Sequence, residues 1–348
     1  MAESTNRQWL IERRPEHFPQ DQVGEANFRW SKSSVPSPAE GQALVRNLWL
    51  SFDPTQLFMV VAPPESGGIL IGSVMRGLAV SQVVESRHPD FQPGELIHGY
   101  SGWEDYSLTE GHGYFESTKV PSGVSPNLAL GTLGVTGMVA YFGMLEIGKP
   151  TKGETCVVSA AAGGVGSIAA QIAKIQGLRV IGIAGGQAKC DWLTNDVGLD
   201  GAIDHRSEDV AARLDQLCPE GIDIYFDNVG GPMLDQALAR LRRNGRIIVC
   251  GGTARYGVDP DPAGPSNYLQ LCMMNGRMEG LLGRDYVARF PEAVTALRGW
   301  LDSGMIQSKE DVVVGLENAP KAFARLYSGA NVGKQLLKIA DLPVARRV

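Results

Sequence analysis

From Gly153 onward, short apolar segments alternate with segments in which apolar residues recur at helical spacing. In the first helical segment, Ile168, Ile172 and Ile175 fall on one face. The apolar segments are "ETCVVSA", "RVIGIAG", "GAIDH", "GIDIYFDNVG" and "GRIIVCGG". Continuous apolar strands that alternate with amphipathic helices are typical of a parallel sheet covered on both faces. The pattern predicts an α/β fold with a Rossmann-type, doubly wound parallel sheet, and we place this domain at residues 131–311.

Residues 1–130 show a different pattern, in which short apolar runs are interrupted by turns rich in Gly and Pro. The turn segments are "PSPAEG", "APPESGG", "HPDFQPGE" and "PSGVSP". Short strands at this spacing are typical of a compact, barrel-like β domain. Residues 312–348 return to a strand–helix–strand pattern, and we assign them with 1–130 to one β-rich domain.

Charge and composition argue against several classes of function. The 348-residue chain has a formal net charge of −6 and no basic face, which argues against nucleic acid as a partner. No run approaches the roughly 20 apolar residues of a membrane span, and the N-terminal residues lack the apolar core of a signal peptide. We therefore expect a cytoplasmic protein with no membrane partner. The five cysteines are scattered, and no histidine lies near one with metal-ligand spacing, so we expect no metal site.

The loop after the first strand of the α/β domain, "AAAGGVG", fits the pattern A-x-x-G-x-x-G. In a Rossmann turn the glycines allow a tight bend, close approach of the pyrophosphate and close packing of helix on strand. An alanine can replace the first glycine where its backbone angle tolerates a Cβ. The following helix N-terminus supplies amide donors and a partial positive charge to phosphates. The loop therefore predicts a dinucleotide site formed by Ala160, Gly163, Gly164, Val165 and Gly166.

The end of the next strand indicates which dinucleotide binds. NAD-specific sites carry an Asp or Glu there that binds the ribose hydroxyls, whereas this chain has no carboxylate until Asp191, beyond Lys189. A carboxylate would repel a 2′-phosphate and an ammonium group attracts it. His205 and Arg206, at the end of the third strand, add to the positive set, which favours NADPH as the cofactor. The alternative is that Lys189 and Arg206 are solvated charges on helix faces.

Five segments together resemble one family closely: "SAAAGGVGSIAAQIAK", "GIAGGQAKCDWL", "DIYFDNVGG", "CGGTARYG" and "GANVGKQLLK". They are similar to the zinc-independent medium-chain dehydrogenases/reductases of the alkenal/one oxidoreductase group, which includes prostaglandin reductases and plant double-bond reductases. The resemblance extends from "NRQWLIERRPE" to "KQLLKIA", and the G-H-E segment of zinc-containing relatives is missing from it. It implies a GroES-like β-rich catalytic domain beside the Rossmann domain, and a homodimer.

The resemblance also implies roles for matching residues. Lys189 matches the lysine that pairs with the 2′-phosphate, Asn228 an asparagine beside the nicotinamide, and Tyr256 a tyrosine near the substrate carbonyl. A family tyrosine at the 2′-phosphate is replaced here by His205. The implied cofactor-binding set is Gly185, Lys189, His205, Arg206, Asn228, Cys250, Leu281 and Asn331.

The implied activity is reduction of the conjugated C=C bond of enals and enones by hydride transfer from NADPH to the β-carbon, without a metal. The enolate oxygen that develops needs a donor, and Tyr256 is the candidate catalytic residue. From sequence alone, Tyr256 also fits a structural aromatic residue of a loop. Thr55, Tyr100 and Trp103 are candidates to line the substrate pocket, although the two aromatic residues fit packing between β turns equally well. Two other functions stay open: an NADPH:quinone reductase, and a crystallin-like NADPH-binding protein of low activity.

Overall fold

A computed structural model describes residues 5–16, 23–112, 116–256 and 264–342. The chain divides into two compact units. The first contains Met1–Leu130, Glu310–Asn331 and Gln335–Val348, and the second contains Gly131–Lys309 and Val332–Lys334.

The N-terminal part of the first unit is built mainly of strands. They are β1 (Thr5–Ile11), β2 (Phe28–Ser34), β3 (Ala43–Ser51), β4 (Arg76–Ser86), β5 (Leu96–Gly102), β6 (Tyr106–Thr109) and β7 (Thr118–Lys119). Two short helices, α1 (Gln56–Val61) and α2 (Pro126–Leu130), and 3-10 turns at Glu25–Asn27 and Pro64–Ser66 accompany them.

The second unit alternates strands and helices. Its strands are β8 (Thr155–Ser159), β9 (Arg179–Ala184), β10 (Gly201–Asp204), β11 (Ile222–Asp227), β12 (Leu241–Val249) and β13 (Arg277–Gly280). Its helices are α3 (Val135–Phe142), α4 (Gly164–Ile175), α5 (Gln187–Asp191), α6 (Val210–Leu217), α7 (Gly231–Leu238), α8 (Gln270–Met273) and α9 (Phe290–Asp302). π-Helical turns extend α3 and α5 at Gly143–Gly148 and Trp192–Asp196, and a 3-10 segment at Gly283–Arg289 precedes α9.

The C-terminal segment completes the first unit. It forms β14 (Glu310–Val314), a 3-10 turn at Leu316–Asn318, α10 (Ala319–Ser328) and β15 (Lys334–Lys338). β15 pairs antiparallel with β3 and so joins a seven-stranded sheet of order β14-β15-β3-β4-β5-β7, in which β6 also pairs with β3. The return of the chain to the β-rich unit follows from this pairing.

An aromatic cluster forms part of the core of the first unit. The ring of Trp103 is fully buried, with its centroid 5.1 Å from that of Phe52, 5.2 Å from Phe28 and 5.4 Å from Phe323. Aromatic pairs at these separations add to the stabilisation that burial of their area provides. Because Phe323 belongs to α10, this cluster fixes the C-terminal helix to the N-terminal strands.

The second unit contains one parallel sheet of order β10-β9-β8-β11-β12-β13. β8 is buried along its whole length, as expected for a strand with a neighbour on each side and helices on both faces. The prediction of a Rossmann-type sheet with a separate β-rich domain is confirmed. The strand order reverses between β8 and β11, and in open α/β sheets ligands bind outside the carboxyl ends of the strands at such a point.

Candidate active site

The loop that follows β8 has the backbone shape of a phosphate-binding turn. Ala160 adopts φ +48°, in the left-handed region, and its carbonyl oxygen accepts a hydrogen bond from Gly163 N at 2.9 Å. This conformation costs an alanine about 1–2 kcal/mol, because its Cβ approaches the following carbonyl oxygen. Ala160 therefore takes the conformation that the first glycine of the fingerprint usually supplies, in spite of its methyl group.

The remaining glycines of the loop serve two purposes. A Cβ on Gly166 would lie 2.3 Å from Ala160 O, so this glycine lets α4 pack on the turn. A Cβ on Gly163 would meet only Ala160 O, at 3.2 Å, which leaves its other side open to a ligand. Gly163 is the N-cap of α4 and has no side chain to cap the helix, so amides of the first turn, Gly164 and Val165 among them, are available to phosphate oxygens.

Basic side chains converge on the glycine that follows β9. A Cβ on Gly185 would lie 2.8 Å from His205 Nε2 and 2.9 Å from Arg206 Nε. The loop is fixed by Asp204, whose carboxylate accepts hydrogen bonds from Gly186 N at 2.7 Å and from Arg206 N at 3.0 Å. The structure thus brings two of the three predicted basic residues together over a glycine, where an NAD site carries an acid.

Lys189, the third predicted basic residue, acts electrostatically on His205. Burial lowers the pKa of His205, and the positive charges of Arg206 and Lys189 lower it further, against an opposing effect of Asp204. His205 is therefore a neutral imidazole at pH 7. Concentrated positive charge of this kind favours a phosphate dianion as the ligand.

At the strand-order reversal, the end of β8 is hydrogen-bonded to the residue that follows β11. Asn228 Nδ2 donates to the carbonyl oxygen of Ser159 at 2.7 Å, and Asn228 N donates to Ser159 Oγ at 2.8 Å. Sequence reasoning missed Ser159 and the adjacent Asp227, although the motif "DNVGG" contained the acid. The predicted residue Asn228 thus lies where Rossmann-type sheets bind their ligand.

The ends of β12 and β13 hold three further predicted residues. Burial raises the pKa of the Cys250 thiol to about 12, so the group stays a thiol at neutral pH and is not a nucleophile. Leu281 N donates to Val249 O at 2.9 Å and continues the pairing of β13 with β12. Tyr256 Oη accepts from Gly252 N at 3.3 Å, and burial raises its pKa, so the group stays a neutral phenol at neutral pH.

Tyr256 and Asn228 approach the same backbone. A Cβ on Gly251 would lie 3.2 Å from Tyr256 Oη and 3.3 Å from Asn228 O. The structure therefore places the predicted catalytic hydroxyl beside the predicted nicotinamide-binding segment, within one unit of the chain.

Comparisons with known proteins identify the family of this chain. Residues 7–117 match a family model described as the N-terminal domain of oxidoreductase, and residues 164–298 match one described as zinc-binding dehydrogenase. An NADPH-dependent curcumin reductase of Escherichia coli is 41% identical over 96% of this chain and 97% of its own length. The chain belongs to the zinc-independent medium-chain dehydrogenase/reductase family.

Two further proteins are similar along almost their whole length. A 2-alkenal reductase (NADP(+)-dependent) of Nicotiana tabacum is 37% identical over 98% of this chain and 99% of its own. The crystal structure of CurA in complex with NADPH from Vibrio vulnificus is 38% identical, with a TM-score of 0.88, and covers 96% of this chain and 99% of that chain. The predicted family and the prediction of an oxidoreductase are confirmed.

Of the predicted residues of this medium-chain reductase, four lie in the first unit. Thr55 is exposed just before α1, Tyr100 is half-buried on β5, and Asn331 is buried between α10 and β15. Trp103 has no exposed surface, because three aromatic rings enclose it. This burial favours the alternative for Trp103, aromatic packing, over a place in the wall of a pocket.

In the ranges that the structure describes, no group of three or more His, Cys, Asp or Glu side chains is arranged to hold a metal ion. Among the helices of the same ranges, none has the length and apolar character needed to cross a bilayer.

Proposed function

We propose that this protein reduces the conjugated C=C bond of α,β-unsaturated aldehydes and ketones with NADPH. The observation that carries the choice of NADPH is the convergence of His205 and Arg206 on Gly185, beside Lys189, whose charge contributes to lowering the pKa of His205. The 2′-phosphate of NADPH neutralises the positive charge of this cluster, whereas the free 2′-hydroxyl of NADH does not. Two relatives are named for NADPH or NADP(+) dependence, and one of these is named for 2-alkenals, which are α,β-unsaturated aldehydes.

Different residues of the second unit bind different parts of the cofactor. The turn from Ala160 to Gly166 receives the pyrophosphate, and the basic cluster receives the 2′-phosphate. Asn228, Cys250 and Leu281 border the place where the nicotinamide end is expected. When bound there, NADPH supplies a hydride to the β-carbon of the substrate.

Tyr256 is the proposed electrophilic group. As hydride reaches the β-carbon, negative charge develops on the carbonyl oxygen, and a fixed hydroxyl donor stabilises that charge. Tyr256 suits this role because burial keeps its phenol protonated. Contact of Thr55 and Tyr100 with the substrate is part of the same proposal.

We further propose that the protein is a cytoplasmic homodimer. β13 is the last strand of its sheet, and all four of its residues are exposed. Large apolar side chains are exposed nearby, with Leu269 at 63% and Met273 at 72%. An open edge strand with apolar neighbours suits isologous pairing with a second copy. Light scattering after gel filtration tests this, and a monomer at micromolar concentration would contradict it.

The activity is tested by following NADPH absorbance with 2-alkenals, enones and quinones, and with saturated aldehydes as controls. We expect turnover of the conjugated carbonyls and a fall in kcat of about tenfold or more for Tyr256→Phe, which removes one donor to the developing charge. Tyr141→Phe is the matched control, since the Tyr141 hydroxyl donates to Glu292 Oε1 at 3.2 Å on an exposed surface. Turnover of quinones alone would favour a quinone reductase, and tight NADPH binding without turnover would favour a binding protein.

A further inference from the structure

The carboxylate of Asp227, at the end of β11, is buried and accepts hydrogen bonds from three neighbouring groups. Its Oδ1 accepts from Val229 N at 3.1 Å and from Gly230 N at 2.9 Å, which fixes the turn into α7. The same oxygen accepts from Ser159 Oγ at 3.1 Å. One carboxylate oxygen thus connects the end of β8 to the start of α7.

Ser159 is hydrogen-bonded to Asn228 as well as to Asp227. Its hydroxyl has no exposed surface, and while it donates to Asp227 it accepts from the backbone N–H of Asn228. Its carbonyl oxygen accepts from the side-chain amide of Asn228. Ser159 therefore holds both the backbone and the side chain of Asn228.

These contacts determine which atom Asn228 offers to a ligand. Only the NH₂ group of the amide donates, so Nδ2 must face the carbonyl oxygen of Ser159 and Oδ1 must face away from it. Within the described ranges, no residue donates a hydrogen bond to Asn228 Oδ1, and the side chain is half-buried. Asn228 therefore presents a fixed acceptor at the strand-order reversal.

We propose that Ser159 and Asp227 are positioning residues that fix Asn228 Oδ1 as a hydrogen-bond acceptor for the nicotinamide riboside of NADPH. The donor is a ribose hydroxyl or the carboxamide NH₂, the two kinds of donor in that half of the cofactor. This inference rests on the proposed function, since it requires that NADPH bind at this reversal.

Direct titration of NADPH binding tests the inference without any need for turnover. We expect Ser159→Ala and Asn228→Ala each to raise the Kd of NADPH about tenfold, the size of one good hydrogen bond. Ser159→Ala removes the hydroxyl that accepts from Asn228 N, and the inference requires this loss to act only through the Asn228 side chain. The double variant should therefore bind as weakly as Asn228→Ala alone. Asp227→Ala should weaken binding similarly, whereas Asp227→Asn keeps Oδ1 as an acceptor and should restore it to within about twofold.

Ser81→Ala is the matched control. Ser81 is also a buried serine that hydrogen-bonds to an asparagine, since its hydroxyl donates to Asn47 Oδ1 at 2.7 Å, but it lies in the first unit. We expect its Kd for NADPH to equal that of the unmodified protein. Urea unfolding of each variant without NADPH shows whether it is folded. If Asp227→Ala does not fold, Ser159→Ala still tests the inference.

Two results would overturn the inference. Effects of Ser159→Ala and Asn228→Ala that multiply in the double variant would show that the two residues act independently. An unchanged Kd for Ser159→Ala would show that the Ser159 hydroxyl does not position Asn228. Either result, obtained while the unmodified protein binds NADPH tightly, leaves the proposed function standing, whereas failure of the unmodified protein to bind NADPH would refute both.

Discussion

Gly166 packs on Ala160 so closely that a Cβ on Gly166 would lie 2.3 Å from the carbonyl oxygen of Ala160 and 2.9 Å from its carbonyl carbon. Real Cβ atoms do not approach backbone atoms to that distance, and the obstacle here is backbone, which cannot rotate away as a side chain can. The close packing of α4 on the turn therefore requires a glycine at position 166.

Gly166→Ala should therefore destabilise the protein as well as weaken NADPH binding. We expect a loss of about 1–3 kcal/mol in the free energy of unfolding, the usual cost of forcing a methyl group into a packed site. Gly163→Ala is the control, because its methyl would meet only Ala160 O, at 3.2 Å. That variant should stay folded and lose affinity for NADPH. Urea unfolding and NADPH titration separate the two effects, and equal stability of both variants would contradict the packing argument.

The local features of the nucleotide site could be predicted from sequence, because a strand, a turn and a helix follow one another along the chain. The sequence predicts that Ala160 replaces the first glycine where its backbone angle tolerates a Cβ, and the structure shows that angle to be left-handed. Lys189, His205 and Arg206 could be proposed as cofactor ligands because each follows the end of a strand, where parallel sheets bind their ligands.

What sequence could not predict are contacts that depend on strand order and packing. Ser159 and Asp227 are 68 residues apart, and they meet only because β8 and β11 are neighbours in the sheet. Trp103 could be interpreted as part of a pocket or of the core, since both use aromatic residues. Its burial depends on Phe323, which belongs to the opposite end of the chain.

Lys189→Ala should reduce the preference for NADPH over NADH. We expect the KM for NADPH to rise about tenfold or more, because a charge-assisted contact with phosphate is lost, while the KM for NADH stays the same. Steady-state kinetics with each cofactor measure this. Lys174→Ala is the matched control, since Lys174 lies in the same unit and pairs with Asp200 at 2.9 Å. A parallel rise for both cofactors would mean that Lys189 does not contact the 2′-phosphate.

NADPH affinity should depend on the protonation state of His205. Burial and the neighbouring cations lower the pKa of His205 below its ordinary 6.5, so it gains a proton only as the pH falls below that value. The protonated ring adds a positive charge, and NADPH binding should strengthen relative to a His205→Gln variant as the pH falls from 7 to about 5.5. NADH, which has no 2′-phosphate, should show no such difference.

Comparison of the two proteins at each pH isolates the imidazole, because protonation of the phosphate itself affects both equally. A constant ratio of their Kd values across this range would place His205 away from the phosphate.

Arg246→Met should destabilise the second unit at neutral pH. The nearly buried guanidinium of Arg246 donates to both carboxylate oxygens of Glu154 at 2.7 Å and to the carbonyl oxygens of Gly148 and Lys149. Its removal leaves a partly buried carboxylate without its partner, and we expect a loss of about 3 kcal/mol in the free energy of unfolding. Arg289→Met is the control, because Arg289 pairs with exposed Glu146 and Glu292, and it should cost less than about 1 kcal/mol.

Acid should reduce the difference between Arg246→Met and the unmodified protein. Burial alone would raise the pKa of Glu154, but hydrogen bonds from Arg246 and from Thr151 N outweigh it and hold the pKa below its ordinary 4.5. A carboxyl whose pKa is lower in the folded state stabilises the protein above its unfolded pKa and stops doing so as the pH falls through the folded value. Urea unfolding of both proteins at pH 7 and near pH 4 measures this. A difference that stays constant down to the lower pH would show that Arg246 stabilises the unit through the backbone carbonyl oxygens of Gly148, Lys149 and Asp223 and not through Glu154.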